Sequence, residues 1–203
     1  MKILNLYAGI GGNRWLWGDE HEITSVENDP HICDVYASRF IADTVICADA
    51  HQYLLDHYKE FDFIWTSPPC PSHSRLGLQS AKMYNKPRYF DATLWQEIVF
   101  LKHFAPKKLK WVVENVKPYY TPLIDPTVEL HRHCFWSNFE IAPKTIDSGY
   151  RGWHNHGVTN LTRQQLEKAY GIELPDFAIG KRKLLQNAVK PEIGKYILEC
   201  AYE

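Results

Sequence analysis

Short apolar runs alternate with amphipathic stretches through the first two-thirds of the chain, and this pattern predicts βαβ units. The runs Ile3–Tyr7, Ile23–Glu27, Thr44–Ala48, Phe61–Thr66 and Lys110–Val116 have the length and the β-branched or aromatic content of strands. Between them, Asn13–Asp19, Pro30–Phe40, His51–Tyr58 and Phe90–Phe104 read as helices. Strand, helix, strand at this spacing predicts a Rossmann-like α/β fold, a mostly parallel twisted sheet with helices on both faces. After Val116 the pattern changes. Pro118, Pro122 and Pro126 break the chain into loop, and His133–Ile141 reads as an aromatic-rich strand. Ala142–Thr159 shows little periodicity. Thr162–Tyr170 reads as a helix with Thr162 at its start and Gly171 as its stop, and Pro191–Tyr202 as a closing helix.

Composition narrows the class. The 203 residues are 45% hydrophobic and 23% charged, as in a soluble globular protein with a real core. No apolar run nears the ~18 residues of a membrane span, and the N-terminus lacks a basic-then-apolar leader pattern, so no membrane association and a cytoplasmic location are expected. The five cysteines are odd in number and none forms a Cys-x-x-Cys pair, which argues against a disulfide framework and a structural zinc. His131 and His133 would share one face of a strand, and His154-Asn155-His156 is a second histidine run, but no partner set follows at zinc spacing; no metal is expected. The formal net charge of −1 gives no global basic field, so nucleic-acid binding would need a local surface. Arg75–Arg88, with Lys82 and Lys86, offers one, and Gly77, Ser80 and Asn85 suit a mobile lid.

Candidate chemistry gathers at the carboxyl ends of the predicted strands, the edge at which open α/β sheets bind ligands. Tyr7-Ala8-Gly9-Ile10-Gly11-Gly12 joins the first strand to the first predicted helix, and its glycines let the backbone turn tightly and approach a ligand. Glu27 closes the second strand, where a carboxylate chelates ribose hydroxyls, and Asp49 follows the third, where it accepts from an adenine amine. The three features together point to an adenosine-containing cofactor. The fourth strand ends in Ser67-Pro68-Pro69-Cys70-Pro71-Ser72, a proline-stiffened loop that holds a thiol beside that site as a candidate nucleophile. A free thiol is only slightly ionised at neutral pH, so local activation would help it. The fifth strand ends in Glu114-Asn115-Val116. A carboxyl at the end of so apolar a strand is desolvated, which raises its pKa and suits it to holding a proton near neutrality.

These residues resemble the cytosine-C5 DNA methyltransferase family, in family order from Lys2 to Ile197. Tyr7–Gly12 is similar to its first motif, Pro69-Cys70 with Ser74 to its nucleophile motif, and Glu114-Asn115-Val116 to its Glu-Asn-Val motif. Asn187-Ala188-Val189 with Pro191 resembles the tenth motif, with Gln186 where a glycine is usual. In the eighth, Arg132 is kept and Cys134 stands in the place of a second arginine. The resemblance implies S-adenosylmethionine as cofactor, held by Tyr7, Ala8, Gly9, Gly11, Gly12, Glu27, Asn28, Asp49, Pro69, Asn187 and Val189. It implies a cytosine in DNA, flipped from the duplex, as substrate, with Cys70 and Glu114 catalytic and Ser74, Arg75, Asn115 and Arg132 contacting or bracing it. Cys70 would attack carbon 6 while Glu114 holds ring nitrogen 3, Arg132 would reach the cytosine carbonyl, and Asn115 would brace the Cys70 loop. It divides the chain into a catalytic and cofactor unit (1–140), a minimal recognition segment (141–183) and a C-terminal helix returning to the first unit (184–203). So short a recognition segment leaves room for a second subunit, identical or different, to add DNA contacts. It also leaves open the same chemistry on RNA or a free cytosine nucleotide, or a nucleic-acid-binding relative without turnover.

Overall fold

The computed structural model describes residues 1–146 and 161–202. Its sheet runs β1 (Lys2–Leu6), β2 (Glu22–Glu27), β3 (Thr44–Cys47), β4 (Phe63–Thr66), β5 (Lys110–Val116), β6 (Val128–Leu130) and β7 (His133–Ser137). Helices α1 (Pro30–Arg39), α2 (Ala50–His57), α3 (Arg75–Met83), α4 (Thr93–Phe104), α5 (Arg163–Tyr170), α6 (Lys181–Asn187) and α7 (Pro191–Cys200) surround it. The strand order is β3-β2-β1-β4-β5-β7-β6. β1 to β5 are parallel, and β7 runs antiparallel to both β5 and β6. The Rossmann-like sheet expected from the alternating pattern is therefore present. No helix among the described residues is long and apolar enough to cross a membrane.

Period-two alternation assigns each strand's side chains to two cores. Leu4, Leu6, Ile64, Trp111 and Val113 point to one face, where Leu54 of α2 and Leu94, Ile98 and Leu101 of α4 cover them. Ile3, Phe63, Trp65 and Val112 point to the other, against Trp17 and Ile193 and Ile197 of α7. The last helix thus returns to the first strands and seals the sheet. A third cluster packs α5, α6 and the segment between them, through Leu166, Leu185 and Leu174, onto Ile10 and Val35. Thr162 caps α5 in a capping box with Gln165, and Gly171 ends it in the left-handed region (φ 63°), as the sequence predicts.

Several elements differ from expectation. Asn13–Asp19 forms only a 3-10 turn over Arg14–Leu16. Trp17 must reach Phe63 and Trp65 on the sheet, and buried Arg14 turns inward to Asp43 (3.0 Å), so the short stretch cannot propagate a helix. Arg75–Met83, expected as a lid loop, is helical; Ser74 Oγ caps it by accepting from Gly77 N at 2.9 Å. Gly77 serves close approach, not mobility: a Cβ there would lie 1.8 Å from the Pro71 carbonyl oxygen. Helix α6 and strand β6 carry no clear sequence signal, α6 being polar and uncapped at its start and β6 three residues long. The run His154-Asn155-His156 lies outside the described residues.

Candidate active site

At the carboxyl edge of β1, β2, β4 and β5 lies a cavity of about 400 Å³. Its first wall is the loop after β1. Tyr7 and Gly9 both adopt positive φ (54°), which tightens the turn, and a Cβ on Gly9 would meet nothing within 4 Å. Gly12 has the opposite situation: its Cβ would lie 2.4 Å from the Val189 carbonyl oxygen, so the Asn187–Val189 segment seats directly on this loop. Asn187 and Val189 line the cavity with Tyr7, Ala8, Gly9 and Gly12, whereas Gly11 is buried behind it under Tyr36 and Phe40.

Glu27 lies at the cavity with its carboxylate fixed by backbone donors. Oε2 accepts from Gly9 N (3.0 Å), and Oε1 from Asn28 N (2.9 Å) and Asp29 N (3.2 Å). About one of its four acceptor positions is left for a ligand hydroxyl. Asn28 and Asp49 sit on the same edge but outside the cavity lining. Asp49 caps α2, Oδ1 accepting from Gln52 N at 2.8 Å.

Beneath the loop is a network absent from the sequence-based expectations. Glu97, wholly buried on α4, accepts from Tyr7 Oη (2.6 Å) and from Thr66 Oγ1 at the end of β4, and pairs with His51 Nδ1 (3.0 Å). This ties the first loop to β4, and it raises the pKa of His51. The available signal is a lone acid in the apolar run Leu94–Leu101, whose helical phase faces the sheet.

Cys70 and Glu114 line the same cavity. The Cys70 loop is held by Asn115, whose Nδ2 donates to the Pro68 carbonyl at 2.8 Å, and by His73 N and Ser74 N, which donate to the Cys70 carbonyl at 3.0 Å each. Burial and the nearby Glu114 carboxylate push the thiol pKa up, while Arg132 pulls it down. Burial raises Glu114 to about 7, opposed by a hydrogen bond with Ser67 and by the Arg132 charge. Arg132 therefore acts electrostatically on both groups. Its Nη2 also donates to the Gln186 and Ala188 carbonyls (2.7 and 3.3 Å), strapping the C-terminal segment over the cavity. Pro69 is part of the lining; Ser74 and Arg75 lie outside it, at the start of α3.

Register corrects the reading of Cys134. It opposes Asn115 on β5, whereas His133 opposes Val116 and Phe135 opposes Glu114. Cys134 therefore faces the α4 side of the sheet, away from the cavity, and fills no arginine's place there. His133 occupies Glu114's side, buried in the cavity wall with Nε2 at 3.6 Å from Glu114 Oε1. Burial and the Arg132 charge hold its pKa well below the usual imidazole range, so it is neutral. Strand phase counted from Glu114 through the antiparallel pairing is the signal that locates it.

A family model described as C-5 cytosine-specific DNA methylase matches residues 1–127. The Type II methyltransferase M1.HphI of Haemophilus parahaemolyticus is 30% identical over 130 residues, which cover 60% of this chain and 34% of that protein. The chain thus matches about a third of its curated relative's length. Among solved structures, Dnmt2 methyltransferase of S. pombe superposes with a TM-score of 0.62 at 12% identity, over 98% of this chain and 96% of that one. A DNMT2 variant of Spodoptera frugiperda gives 0.61 at 14%, over 100% and 99%. The methyltransferase EhMeth of Entamoeba histolytica gives 0.58 at 10%, over 100% and 98%. At these identities the structural likenesses bear on the fold.

Proposed function

The chain belongs to the C-5 cytosine-specific DNA methylase family, and on that premise we propose that it methylates carbon 5 of cytosine in DNA with Cys70 as covalent nucleophile. The observation that carries the reading is the pairing, in one cavity, of the Cys70 thiol with a buried carboxyl, Glu114, whose pKa is raised to about 7. S-adenosylmethionine is the family's cofactor, and when bound it supplies an electrophilic methyl group. The residues present fit it. Glu27 keeps an acceptor position for a ribose hydroxyl, Gly9 opens the loop toward the cavity, and Ile32 and Pro69 give apolar wall.

Carbon 5 of cytosine is a poor nucleophile, so the protein must first add electron density to the ring. The Cys70 thiolate bonds to carbon 6 while the Glu114 carboxyl gives its proton to ring nitrogen 3, leaving an enamine with density on carbon 5. After methylation, the carbon-5 proton passes to water, Cys70 leaves as thiolate, and ring nitrogen 3 returns its proton to the Glu114 carboxylate, which restores the aromatic ring. Arg132 supplies the positive charge that favours the thiolate, and Asn115 holds the loop that aims it. A duplex target must leave the stack to enter, at a cost of a few kcal/mol.

Glu27→Ala and Asp49→Ala should each shrink the rise in melting temperature produced by S-adenosylmethionine. Asp49→Ala should also cost about 1 kcal/mol of stability, because it removes the cap of α2. Shifts equal to the parent's in both variants would move the cofactor elsewhere.

Between Ile141 and Lys183 there is little chain to reach base edges, each such contact giving about 1–3 kcal/mol of discrimination. The recognition sequence is therefore expected to be short or relaxed. Labelled S-adenosylmethionine offered with duplex DNA, single-stranded DNA, RNA and deoxycytidine monophosphate, followed by mapping, tests both statements. Label on RNA or the mononucleotide alone would overturn DNA as substrate. A long, strict site would show that the recognition surface is larger than this segment.

A further inference from the structure

The basic surface expected at Arg75–Arg88 forms only one rim of the active site. Lys82 and Arg88 line a hollow beside α3 that meets the catalytic cavity at Pro71. On the other side, Arg163, Lys181, Arg182 and Lys183 line a larger open groove of about 640 Å³ on α5 and α6, and Asp176 is the one acid among its lining residues. Asp176 is fully solvated and 3.5 Å from Lys181 Nζ, so it screens little of the lysine charge. Arg163 is instead paired with Glu167 at 2.8 Å, and the charge the groove offers a ligand lies mainly on Lys181 and Lys183.

Four features suit this groove to a polyanion. The cations are held in place: Lys181 Nζ donates to the Leu174 carbonyl (3.2 Å) and Arg182 Nε to the Leu161 carbonyl (2.8 Å). The platform under them is tied to the cofactor side of the sheet by the core around Ile10 and Val35 and by Ile179 N donating to His31 Nε2 (2.9 Å). Lys183 and Gln186 line both this groove and the catalytic cavity, so the two are continuous. Beside the cations, Phe177 and Ile179 are 52% and 76% exposed and offer apolar surface to sugars or bases.

We propose that the α5–α6 groove binds the phosphate backbone of the DNA strand that presents the target cytosine, so that the strand crosses the cavity between two basic rims. This rests on the function proposed above. Such binding carries no sequence information; it supplies affinity and register.

The test measures affinity for a short labelled DNA duplex and its single strand as salt rises from about 50 to 200 mM. In the parent, affinity should fall steeply. In Lys181→Ala/Lys183→Ala, the slope of log affinity against log salt should be shallower by about 1.8 for the duplex and about 1.4 for the single strand. Lys181→Arg/Lys183→Arg, which keeps charge, should restore the parent slope and guards against a merely misfolded alanine variant. Lys107→Ala/Lys108→Ala removes two exposed charges between α4 and β5, at the opposite edge of the sheet, and should leave the slope unchanged. DNA binding with the parent slope in Lys181→Ala/Lys183→Ala overturns the groove and leaves the proposed function standing. Equal losses in the two alanine pairs overturn it too, as general electrostatics. A parent that binds neither DNA form brings down the proposed function itself. Capture by anionic phosphatidylserine vesicles without DNA binding would assign the groove to a membrane surface and overturn the inference.

Discussion

Cys70→Ala is expected to abolish methyl transfer, a loss on the order of 10⁴-fold or more by comparison with nucleophile removal in other covalent enzymes. Fold and cofactor binding should survive. Cys70 is half-buried at the tip of a loop whose rigidity comes from Pro68, Pro69 and Pro71 and from the Asn115 bond to the Pro68 carbonyl, none of which the substitution touches. The parent should trap 5-fluorocytosine in DNA as an adduct stable to denaturation, because fluorine at carbon 5 cannot leave as a proton does. The variant should trap none. Measurable turnover by a clean Cys70→Ala preparation would remove the covalent mechanism, and a parent that methylates without trapping would do the same.

Much of the fold is legible in the sequence because the parallel strands are short, apolar and separated by helices of ordinary length. Lys110–Val116 agrees to the residue, its apolar run Trp111–Val113 continuing into buried Glu114 and Asn115 and the strand bounded by Lys110 and Lys117. What escapes depends on contacts distant in sequence. Gly77 lies within a helix and argues against one locally; only the carbonyl of Pro71 pressing on it explains the choice. Trp17 forgoes a helical turn to reach Phe63 and Trp65.

The site divides along the same line. Glu27, Cys70 and Glu114 stand at strand ends, so strand positions alone bring them to one edge. The buried polar residues packed around them are hidden in tertiary pairing. Glu97 reaches Tyr7 and Thr66 from another element, and His133 rather than Cys134 shares Glu114's face because of the antiparallel register of β5 and β7. The thiol's own environment also reverses a simple expectation. A nucleophile calls for activation, yet in the free protein burial and Glu114 raise the Cys70 pKa. On the proposed mechanism, the activating event is loss of charge at Glu114, which leaves Arg132 as the charge acting on the sulfur.

That coupling makes Glu114→Gln the more informative variant, because one observable should fall while two others rise. Turnover should fall by at least ~10²-fold, since the amide can hydrogen-bond ring nitrogen 3 but cannot give it a proton. Alkylation of Cys70 at fixed pH, followed residue by residue by mass spectrometry, should become faster, because the carboxylate that raises the thiol pKa is gone while Arg132 remains. Stability should rise. Glu114 has a folded pKa of about 7 against an ordinary 4.5, so between those values the folded protein binds more protons than the unfolded chain. The parent therefore loses stability as pH climbs through this window, by up to about 3 kcal/mol at 1.36 kcal/mol per unit. Ser67 and Arg132 offset part of the burial cost, and the neutral imidazole of His133 adds no charge. Glutamine has no such titration, so the variant's melting temperature should exceed the parent's at pH 8 and the advantage should shrink toward pH 5. A constant difference across that range would mean that Glu114 is not the buried acid described, and unchanged turnover would make it structural. Slower alkylation of Cys70 would show that the carboxylate activates the thiol directly, as a base, and would replace the charge-coupled mechanism with one in which Glu114 takes the thiol proton.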